Sequence, residues 1–399
     1  MVPADTIQLH VNMLNDRTRT SAYLASISKA VRPGDVVLDI GTGTGVFAIA
    51  AARAGARQVY AIEAGRIAKA ARTLFRVNGV ADRVTLIRGW STCITLPERA
   101  DVLIAELIGD DPLAEQVIGI TRDAVMRLLK PDARLVPSDI KIFGLPITIP
   151  TDELEKLTFA RDVLQKWQSW YDIDFNPLLK VARESSTNLL FGHYINVYEM
   201  RAWKTLSPPV LLAHVDFQRS RGFRIHRTET ATATATGALN GIIIYFELQA
   251  NSTTFLSTRP FLVDAGNHWF SPVRVLSNPI PVQIGDQLQI TYWYRPWSGI
   301  SECEVRIGTE PVRLAGNRGR RILATRSSRL AGSRGPNFFT GDLFVKLRQK
   351  HWQTPSSLWT KCSALWVSPW SSNPRATIYD VGTANEKQVI FVRISGLFA

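Results

Sequence analysis

The feature that most constrains the fold is an apolar run that opens into alternate glycines, VLDIGTGTG at residues 37–45. Glycine accepts the left-handed backbone of a tight turn and lets a ligand approach the main chain closely. The apolar run reads as a buried strand, and VFAIAAARAG, which follows, reads as a helix that ends at Gly55. A strand, a glycine turn and a helix in this order predict a ligand-binding turn at the edge of an α/β sheet.

The chain continues to alternate strands and helices after this turn. QVYAIE, RVTLIRG and ADVLIAE read as strands, and AGRIAKAARTLFRVNG reads as a helix that ends at an Asn-Gly pair. The segment AEQVIGITRDAVMRLLKPDA reads as a further helix that stops at Pro131. Alternation at this spacing predicts a parallel sheet covered by helices on both faces, in a domain of residues 1–143.

The pattern changes over residues 144–308, which we expect to form a second domain. Short alternating segments such as TATATATG and DQLQITYWYR, separated by turn signals such as Asn-Gly, predict an antiparallel sheet or barrel. Near its start, the segment at 150–172 reads as a helical excursion. The predicted fold class is therefore α/β, with a Rossmann-like domain followed by an antiparallel β-barrel domain that carries a helical arm.

The formal charge of +13 is concentrated near the end of the chain. Residues 309–399 hold fourteen Lys and Arg against four acids, which is +10 of that total. Residues 309–336, rich in Arg, Gly and Ser, read as a flexible linker, and the fold of the rest of this basic tail is left open. Clustered arginines can bind nucleic acid, but a solvated linker is the favoured interpretation.

Other sequence signals point to a cytoplasmic protein without a metal site. No run of about 18 apolar residues suggests a membrane-spanning helix, and the first residues lack a secretory pattern. The three cysteines are widely spaced and odd in number, which favours neither a disulfide framework nor a zinc site.

Two ligand classes compete for the glycine turn. A dinucleotide fingerprint would need glycine at position 46, where the chain has Val46. The pattern is instead D-x-G-x-G-x-G, with Glu63 at the end of the second strand, where a carboxylate can accept from both ribose hydroxyls of a nucleoside. The arrangement resembles the S-adenosylmethionine site of class I methyltransferases. The plain alternative is a structural turn beside an ordinary surface glutamate.

Two glutamates flank the loop after the fourth predicted strand. Glu106 stands at the carboxyl end of that strand, where ligands bind in such sheets, and Glu115 follows nine residues later. If the intervening residues form a tight hairpin, both carboxylates face one point. Two like charges repel each other, and a planar guanidinium with several donors relieves that repulsion. We expect Asp110 and Asp111, between them, to be solvated.

With these residues in place, the chain resembles the protein arginine methyltransferase family over residues 7–308. The segment HVNMLNDRTRTSAY resembles the family's first motif, AELIGDDPLAEQ its glutamate pair, and GNHWFSPV its Thr-His-Trp loop, although Asn267 replaces the threonine. The arm lies where the family has its dimerisation arm. The wording of the motifs is most similar to the monomethylating branch.

The resemblance implies a set of cofactor contacts, which are His10, Met13, Arg19, Asp39, Gly41, Gly43, Glu63, Ser91 and Thr92. Within it, Arg19 pairs with the methionine carboxylate of S-adenosylmethionine, Glu63 holds the ribose, and Ser91 and Thr92 flank the adenine. His10 and Met13 line the cofactor and the reaction centre. The family often has glutamate at the position of Thr92, so at this adenine contact the chain departs from the usual pattern of the family.

The resemblance also implies the catalytic residues and the reaction. Glu106 and Glu115 clamp the substrate guanidinium, and His268 braces the site from the barrel side. The expected activity is N-methylation of arginine in proteins, with one methyl added, by a homodimer. An enzyme acting on free arginine or a guanidine metabolite is the first alternative. A catalytically silent module that holds nucleic acid through the tail is the second.

Overall fold

A computed structural model describes residues 7–157, 161–178, 189–219, 224–251, 253–295, 300–308, 343–347, 375–384 and 387–395. The chain divides into two compact units, Met1–Thr325 and Arg326–Ala399. The first unit holds both predicted sheets.

The first unit opens with two helices and a parallel five-stranded sheet. The helices are α1 (Ile7–Asn15) and α2 (Arg17–Ala30), and the strands are β1 (Val36–Ile40), β2 (Gln58–Glu63), β3 (Val84–Arg88), β4 (Ala100–Ala105) and β5 (Leu129–Val136). The strand order is β3-β2-β1-β4-β5. The chain reverses direction across the sheet beside β1, and such a switch point opens a crevice at the carboxyl ends of the strands.

The connecting helices match the predicted alternation. They are α3 (Val46–Arg53), α4 (Ala68–Val77) and α5 (Val117–Arg127). Every residue of β1 is buried, as expected of a central strand covered on both faces. The sequence pattern predicts a helix that already includes Glu115. In the structure helix α5 begins at Val117, so Glu115 lies in the preceding loop.

The antiparallel part of the first unit contains two sheets. Its strands are β6 (Asp139–Thr148), β7 (Leu189–Asn196), β8 (Lys204–Thr205), β9 (Val210–Asp216), β10 (Ile225–Thr232), β11 (Gly237–Asn251), β12 (Thr254–Ser257), β13 (Phe270–Val282), β14 (Gln287–Arg295) and β15 (Ile300–Gly308). The larger sheet has the order β7-β13-β11-β6-β8, with β12 paired to β11 and β9 paired to β6; the smaller has the order β10-β14-β15. The two-part fold is that of the predicted class.

Two helices of the predicted arm follow β6. They are α6 (Thr151–Leu157) and α7 (Arg161–Tyr171). Strand β6 begins at Asp139 and pairs with β11 over its length, so the antiparallel part starts before the boundary expected at residue 143. Buried side chains of both kinds of sheet, among them Leu38 and Ile242, belong to one continuous hydrophobic core.

The second unit contains a three-stranded antiparallel sheet. Its strands are β16 (Leu343–Leu347), β17 (Arg375–Ala384) and β18 (Lys387–Ser395), in the order β16-β18-β17. The linker predicted at 309–336 lies outside the described residues. None of the helices that the structure describes combines the length and apolar character needed to cross a bilayer.

Candidate active site

The glycine turn after β1 requires its glycines. Gly41, Gly43 and Gly45 have φ values of +74°, +56° and +87°, a region that other residues rarely adopt. The N–H groups of Gly41 and Thr42 both donate to the carbonyl of Ile62, at 3.0 Å. A Cβ atom at Gly43 would lie 3.3 Å from Cε1 of His10, so the imidazole lies directly against the turn.

Glu63, at the end of β2, is held against the same turn. One carboxylate oxygen accepts from the N–H of Gly43 at 2.9 Å, and the other accepts from the N–H of Gly65 at 2.6 Å. Each oxygen keeps a second lone pair. The carboxylate is therefore oriented by the backbone and can still accept from two hydroxyls of a ligand.

Asp39 supports the turn from the interior. Its side chain is buried and accepts from the hydroxyl of Thr42 at 2.5 Å. Burial, with repulsion from Glu63 and Glu106, raises the pKa of Asp39 to about 7 even though Thr42 opposes the change. Near neutral pH this carboxyl is therefore partly protonated.

Ser91 and Thr92 lie beyond the carboxyl end of β3, at the same edge of the sheet. They belong to a single turn of 3₁₀ helix, Ser91–Cys93. Ser91 is buried and its carbonyl accepts from the guanidinium of Arg127 at 3.1 Å, whereas Thr92 is exposed. Both residues are thus at the edge where the sequence places the adenine.

The junction between α1 and α2 brings Met13 and Arg19 to the same crevice. Asp16 caps α2 by accepting from the N–H of Arg19 at 2.9 Å. The Arg19 side chain folds back, and its Nη1 donates to the carbonyl of Met13 at 3.3 Å. The helix cap and the returning arginine together fix the first motif over the glycine turn.

The guanidinium of Arg19 is buried between acidic and aromatic groups. Its Nη2 forms an ion pair with Oε2 of Glu106, and its Cζ lies 5.6–5.9 Å from the ring centres of Tyr23, Phe47 and Trp269. Burial alone would lower the pKa of Arg19, but the charge of Glu106 outweighs burial and raises it. This structure therefore pairs Arg19 with Glu106, one of the two predicted catalytic glutamates, and the predicted contact of Arg19 with the methionine carboxylate stays a prediction.

Glu106 and Glu115 act on each other across the loop. Glu106 is almost fully buried, and its Oε1 has no hydrogen-bond partner among the described residues. Glu115 is reached by solvent at the mouth of the crevice. Enclosure by protein, reinforced by repulsion from Glu106 and Asp110, nevertheless raises the pKa of Glu115 to about 7. The structure thus brings the two carboxylates into one electrostatic environment.

His268 lies close to the first motif and contacts Asp16. Its Nδ1 is 2.9 Å from Oδ2 of Asp16, and its backbone N–H donates to the same oxygen at 3.1 Å. Burial would raise the pKa of Asp16, but these bonds and the one from Arg19 lower it. His268 thereby supports the cap of α2, which carries Arg19.

Two aromatic side chains of the antiparallel part also hold the glutamate loop, and of these the sequence singled out Trp269, in the GNHWFSPV segment, but not Tyr294. The indole N–H of Trp269 donates to the carbonyl of Ile108 at 2.9 Å, and the hydroxyl of Tyr294 donates to the carbonyl of Leu113 at 2.9 Å. No local sequence signal pairs these two residues with the loop, because they lie far from it along the chain.

The expectation that Asp110 and Asp111 are both solvated is wrong for Asp111. It is 4% exposed and accepts from the hydroxyl of Ser301 at 2.5 Å. Nη2 of Arg274 lies 3.3 Å from the same oxygen. Asp110 is exposed and accepts from the N–H of Phe270 at 2.8 Å.

The site thus joins a nucleoside-compatible turn to an acidic mouth. Glu63 lies at the carboxyl end of β2 beside the glycine turn, and Glu106 follows the carboxyl end of β4, with Glu115 in the loop after it. The arrangement suits a nucleoside beside a planar cation. Across the described residues, no group of three or more His, Cys, Asp or Glu side chains is placed to hold a metal ion.

An α/β domain with a nucleoside-binding turn, followed by antiparallel sheets, is the arrangement expected of a class I methyltransferase with a second domain. Comparison with known families agrees with this class. Residues 16–174 match the family described as ribosomal protein L11 methyltransferase, and residues 152–301 match the arginine methyltransferase oligomerization subdomain. The chain is 32% identical to rice (Oryza sativa subsp. japonica) protein arginine N-methyltransferase PRMT10 over 306 residues, covering 70% of this chain and 78% of the rice protein.

Two further similarities bear on substrate and fold. An arginine N(omega)-methyltransferase of Streptomyces achromogenes subsp. streptozoticus is 30% identical over 286 residues, with 70% of this chain and 74% of that protein covered. The Trypanosoma brucei PRMT1 enzyme–prozyme heterotetrameric complex with AdoHcy superimposes with a TM-score of 0.63 at 23% identity, over 76% of this chain and 93% of that one. At that identity the superposition establishes the fold.

The chain belongs to the protein arginine methyltransferase family, whose members are S-adenosylmethionine-dependent methyltransferases. The residues present fit that cofactor. Glu63 retains acceptor capacity beside a glycine turn that His10 covers, and Val46 stands where a dinucleotide fingerprint would have its third glycine.

Proposed function

We propose that this enzyme methylates a guanidinium nitrogen of arginine in protein substrates. The observation that carries the proposal is the buried Oε1 of Glu106, which has no partner among the described residues and shares its environment with Glu115. A buried acceptor without a donor is costly, and a guanidinium supplies donors in a fork that matches carboxylates.

The cofactor residues have distinct roles in this proposal. Glu63 accepts from the ribose hydroxyls, and Asp39 keeps the turn in place through Thr42. Gly41 and Gly43 let the nucleoside approach the main chain. Ser91 and Thr92 border the adenine, and His10 with Met13 forms the wall next to the reaction centre.

Arg19 serves both halves of the site. Its guanidinium touches Oε2 of Glu106, whereas the substrate would use Oε1 of the same carboxylate. The Nε of Arg19 is buried without a hydrogen-bond partner in the described residues, which leaves a donor for the methionine carboxylate of the cofactor. Arg19 thereby connects the carboxylate of the cofactor to the carboxylate of Glu106, which binds the substrate.

S-adenosylmethionine supplies a methyl group on a positively charged sulfur. The protein must hold the accepting nitrogen in line with that bond, and such placement accounts for much of the rate of a transfer reaction. Glu106 and Glu115 grip two edges of the guanidinium and draw its positive charge toward themselves. Electron density is then left on the nitrogen that faces the cofactor.

Glu115 is the proposed acceptor of the proton that the nitrogen loses. General bases work best with a pKa near the working pH, and the pKa of Glu115 is raised to about 7. His268 contacts Asp16 and not Glu115, so we assign it to positioning α2 and Arg19.

Methyl transfer from labelled S-adenosylmethionine tests the proposal. We expect label in an Arg-Gly peptide, and loss of transfer in Glu115→Gln with cofactor binding unchanged by calorimetry. Transfer that survives Glu115→Gln excludes the two-carboxylate clamp. The exposed Glu98→Gln is the matched control, because Glu98 lies outside the crevice and pairs only with Arg57 in the described structure.

Free arginine is the second candidate substrate, favoured by the similarity to the Streptomyces arginine methyltransferase. The acidic mouth at Glu115 and Asp110 would accept either a free amino acid or a side chain. Parallel kinetics with free arginine and the Arg-Gly peptide distinguish the two. A kcat/KM at least tenfold higher for free arginine would reverse our preference.

We also propose that the main product is monomethylarginine. The support is the sequence similarity of the AELIG and YAIE motifs to the monomethylating branch. Mass spectrometry of the product after many turnovers tests this, and dimethylarginine as the dominant species would contradict it.

A homodimer is the proposed assembly. The arm exposes Trp170 and Tyr171, each 59% accessible. A largely apolar groove of about 590 Å³ lies on the outer faces of α2, α3 and α4, with Leu24 and Leu74 in its wall. The match to the oligomerization subdomain supports insertion of one copy's arm into the other's groove. Sedimentation should show a dimer that Trp170→Asp dissociates.

Cysteine usage supports a cytoplasmic location. Cys93 is exposed and free, and Cys303 is buried and free. Free exposed thiols are typical of a reducing compartment. Cell fractionation tests this proposal.

A further inference from the structure

The loop that carries both glutamates has a buried acidic residue at its centre. The Asp111 carboxylate accepts from the hydroxyl of Ser301 at 2.5 Å and lies 3.3 Å from Nη2 of Arg274. Nη2 of Arg274 also donates to the carbonyl of Ser301 at 2.9 Å. The three side chains form one closed network, which we call the loop clamp.

The loop clamp joins three separate parts of the first unit. Arg274 lies on β13 of the larger antiparallel sheet, and Ser301 lies on β15 of the smaller one. Asp111 belongs to the loop after β4 of the parallel sheet. Burying an ion pair brings little net stability, because desolvation offsets the attraction. Its geometric requirement is strict, so a buried pair here fixes the loop more than it strengthens the fold.

The clamp reaches Glu115 through the main chain. The carbonyl of Asp111 accepts from the N–H of Ala114 at 2.9 Å, and the carbonyl of Leu113 accepts from the N–H of Gln116 at 3.1 Å. These two bonds fold the residues on either side of Glu115 onto the buried part of the loop. A shift of Asp111 therefore moves Glu115.

We propose that Asp111, held by Arg274 and Ser301, is a positioning residue that sets the separation between Glu106 and Glu115. The inference rests on the two-carboxylate function proposed above. It assigns a role in the reaction to a side chain that touches neither substrate nor cofactor.

The clamp acts on Glu115 by geometry and not by charge. The charged groups that influence Glu115 are Glu106 from β4, Asp110 from the same loop and Arg19 from α2. Asp111 is not among them, and it has its own counter-charge in Arg274. When the clamp is removed, Glu115 should move away from Glu106, and its pKa should fall from about 7 toward the ordinary value.

The experiment replaces the charged pair as a whole with Asp111→Leu and Arg274→Met. Removing both charges avoids an unpaired buried ion, so the double variant should fold even where Asp111→Leu alone does not. The matched control is Glu304→Leu with Arg306→Met, which removes a solvent-facing ion pair from β15. Folding of each variant is checked by thermal unfolding.

For the double variant we expect kcat/KM for the Arg-Gly peptide to fall about 30-fold, as a small misplacement of a catalytic group does. The dissociation constant of S-adenosylhomocysteine should stay within twofold of wild type. The acidic limb of the pH profile of kcat/KM should move to lower pH. Arg274→Lys keeps the positive charge but loses the planar guanidinium, so its kcat/KM should lie between those of the wild type and the double variant.

A folded double variant with wild-type kcat/KM and an unmoved acidic limb would overturn the inference. Glu115→Gln, assayed in parallel, separates this result from failure of the proposed function. If Glu115→Gln retains full activity, the proposed grip of Glu106 and Glu115 on the guanidinium is itself wrong. If Glu115→Gln is inactive while the double variant matches wild type, only the positioning role of Asp111 is wrong.

Discussion

The two walls of the crevice are held in different ways. On the cofactor side, the glycine turn is held by neighbours in the βαβ unit, since Gly43 donates to Glu63 and Thr42 donates to Asp39. On the proposed substrate side, the loop between the two glutamates is held by Trp269, Arg274 and Ser301, which come from the antiparallel part.

Under the proposed function, this difference separates the residues that bind the cofactor from those that act on the substrate. The cofactor wall is a property of the parallel sheet and its first two crossover connections. The substrate wall exists only when the antiparallel sheets cover the loop. Substitutions in the cofactor wall should therefore act on cofactor affinity, and those in the substrate wall on kcat/KM.

The largest expected effect contrasts a buried ion pair with an exposed one. Glu106→Gln leaves Arg19 buried without its counter-charge, which should lower the free energy of unfolding by about 3 kcal/mol. Methyl transfer should fall by about 10³-fold, because a group that stabilises developing charge is lost. Denaturant titration and kinetics measure both. Glu98→Gln, in an exposed pair, should change neither.

The next effect breaks the cofactor wall. Gly43→Val places a branched side chain at φ +56° and against His10, so cofactor affinity should fall about 100-fold, or about 3 kcal/mol. Calorimetry with S-adenosylhomocysteine measures this. Gly79→Val is the control, because Gly79 has φ +67° with open space around it and lies outside the crevice. Equal loss of affinity in both variants would show that backbone strain alone is responsible.

The pH dependence of kcat/KM tests the substrate wall. In the proposed mechanism Glu115 binds the guanidinium as a carboxylate, and burial with repulsion from Glu106 raises its pKa to about 7. Below that pH the carboxylate fraction falls, so kcat/KM should drop about tenfold per pH unit.

Asp39 also has a pKa of about 7, and it would produce a limb in the same range. Asp39→Asn should keep the limb in kcat/KM for the peptide at saturating cofactor. If Asp39→Asn removes that limb, the limb belongs to the cofactor wall and our assignment to Glu115 is incorrect.

The smallest effect concerns the connection between the two walls. His268→Asn removes the imidazole contact with Asp16 but keeps the backbone hydrogen bond. Because His268 only positions α2 and Arg19, kcat should fall about tenfold, which is less than the loss expected for a general acid or base. The control is His214→Asn, which removes a comparable histidine–aspartate contact with Asp139 on the exposed face of the antiparallel sheet. A larger effect from the control would refute a specific role for His268.

Much of the fold follows from periodicity in the sequence. The strand–helix alternation of the first part predicts the parallel sheet, and the order of the motifs predicts an antiparallel domain after it. Element boundaries were less accurate, since α5 begins at Val117 and β6 begins at Asp139. Both ends depend on contacts with strands far away in the chain, which a local pattern does not contain.

The candidate site divides in the same manner. Sequence alone predicted that Glu63 and Glu106 lie at one edge of the sheet, because the carboxyl ends of parallel strands meet there. It predicted Glu115 from its place in the loop after Glu106. It did not identify Asp111 as buried, since an aspartate in a loop is usually solvated. Its partner Arg274 lies in another sheet.

The sequence by itself determined the glycine turn, the acidic residue after the second strand and the spacing of the glutamate pair. These features depend on backbone freedom and short-range hydrogen bonds, so they are encoded within one or two elements. Tertiary structure alone decided that Arg19 contacts Glu106, that His268 contacts Asp16 and that Asp111 is buried. Those contacts form only when elements far apart in the chain pack together, and burial then removes the water that would otherwise solvate each charge.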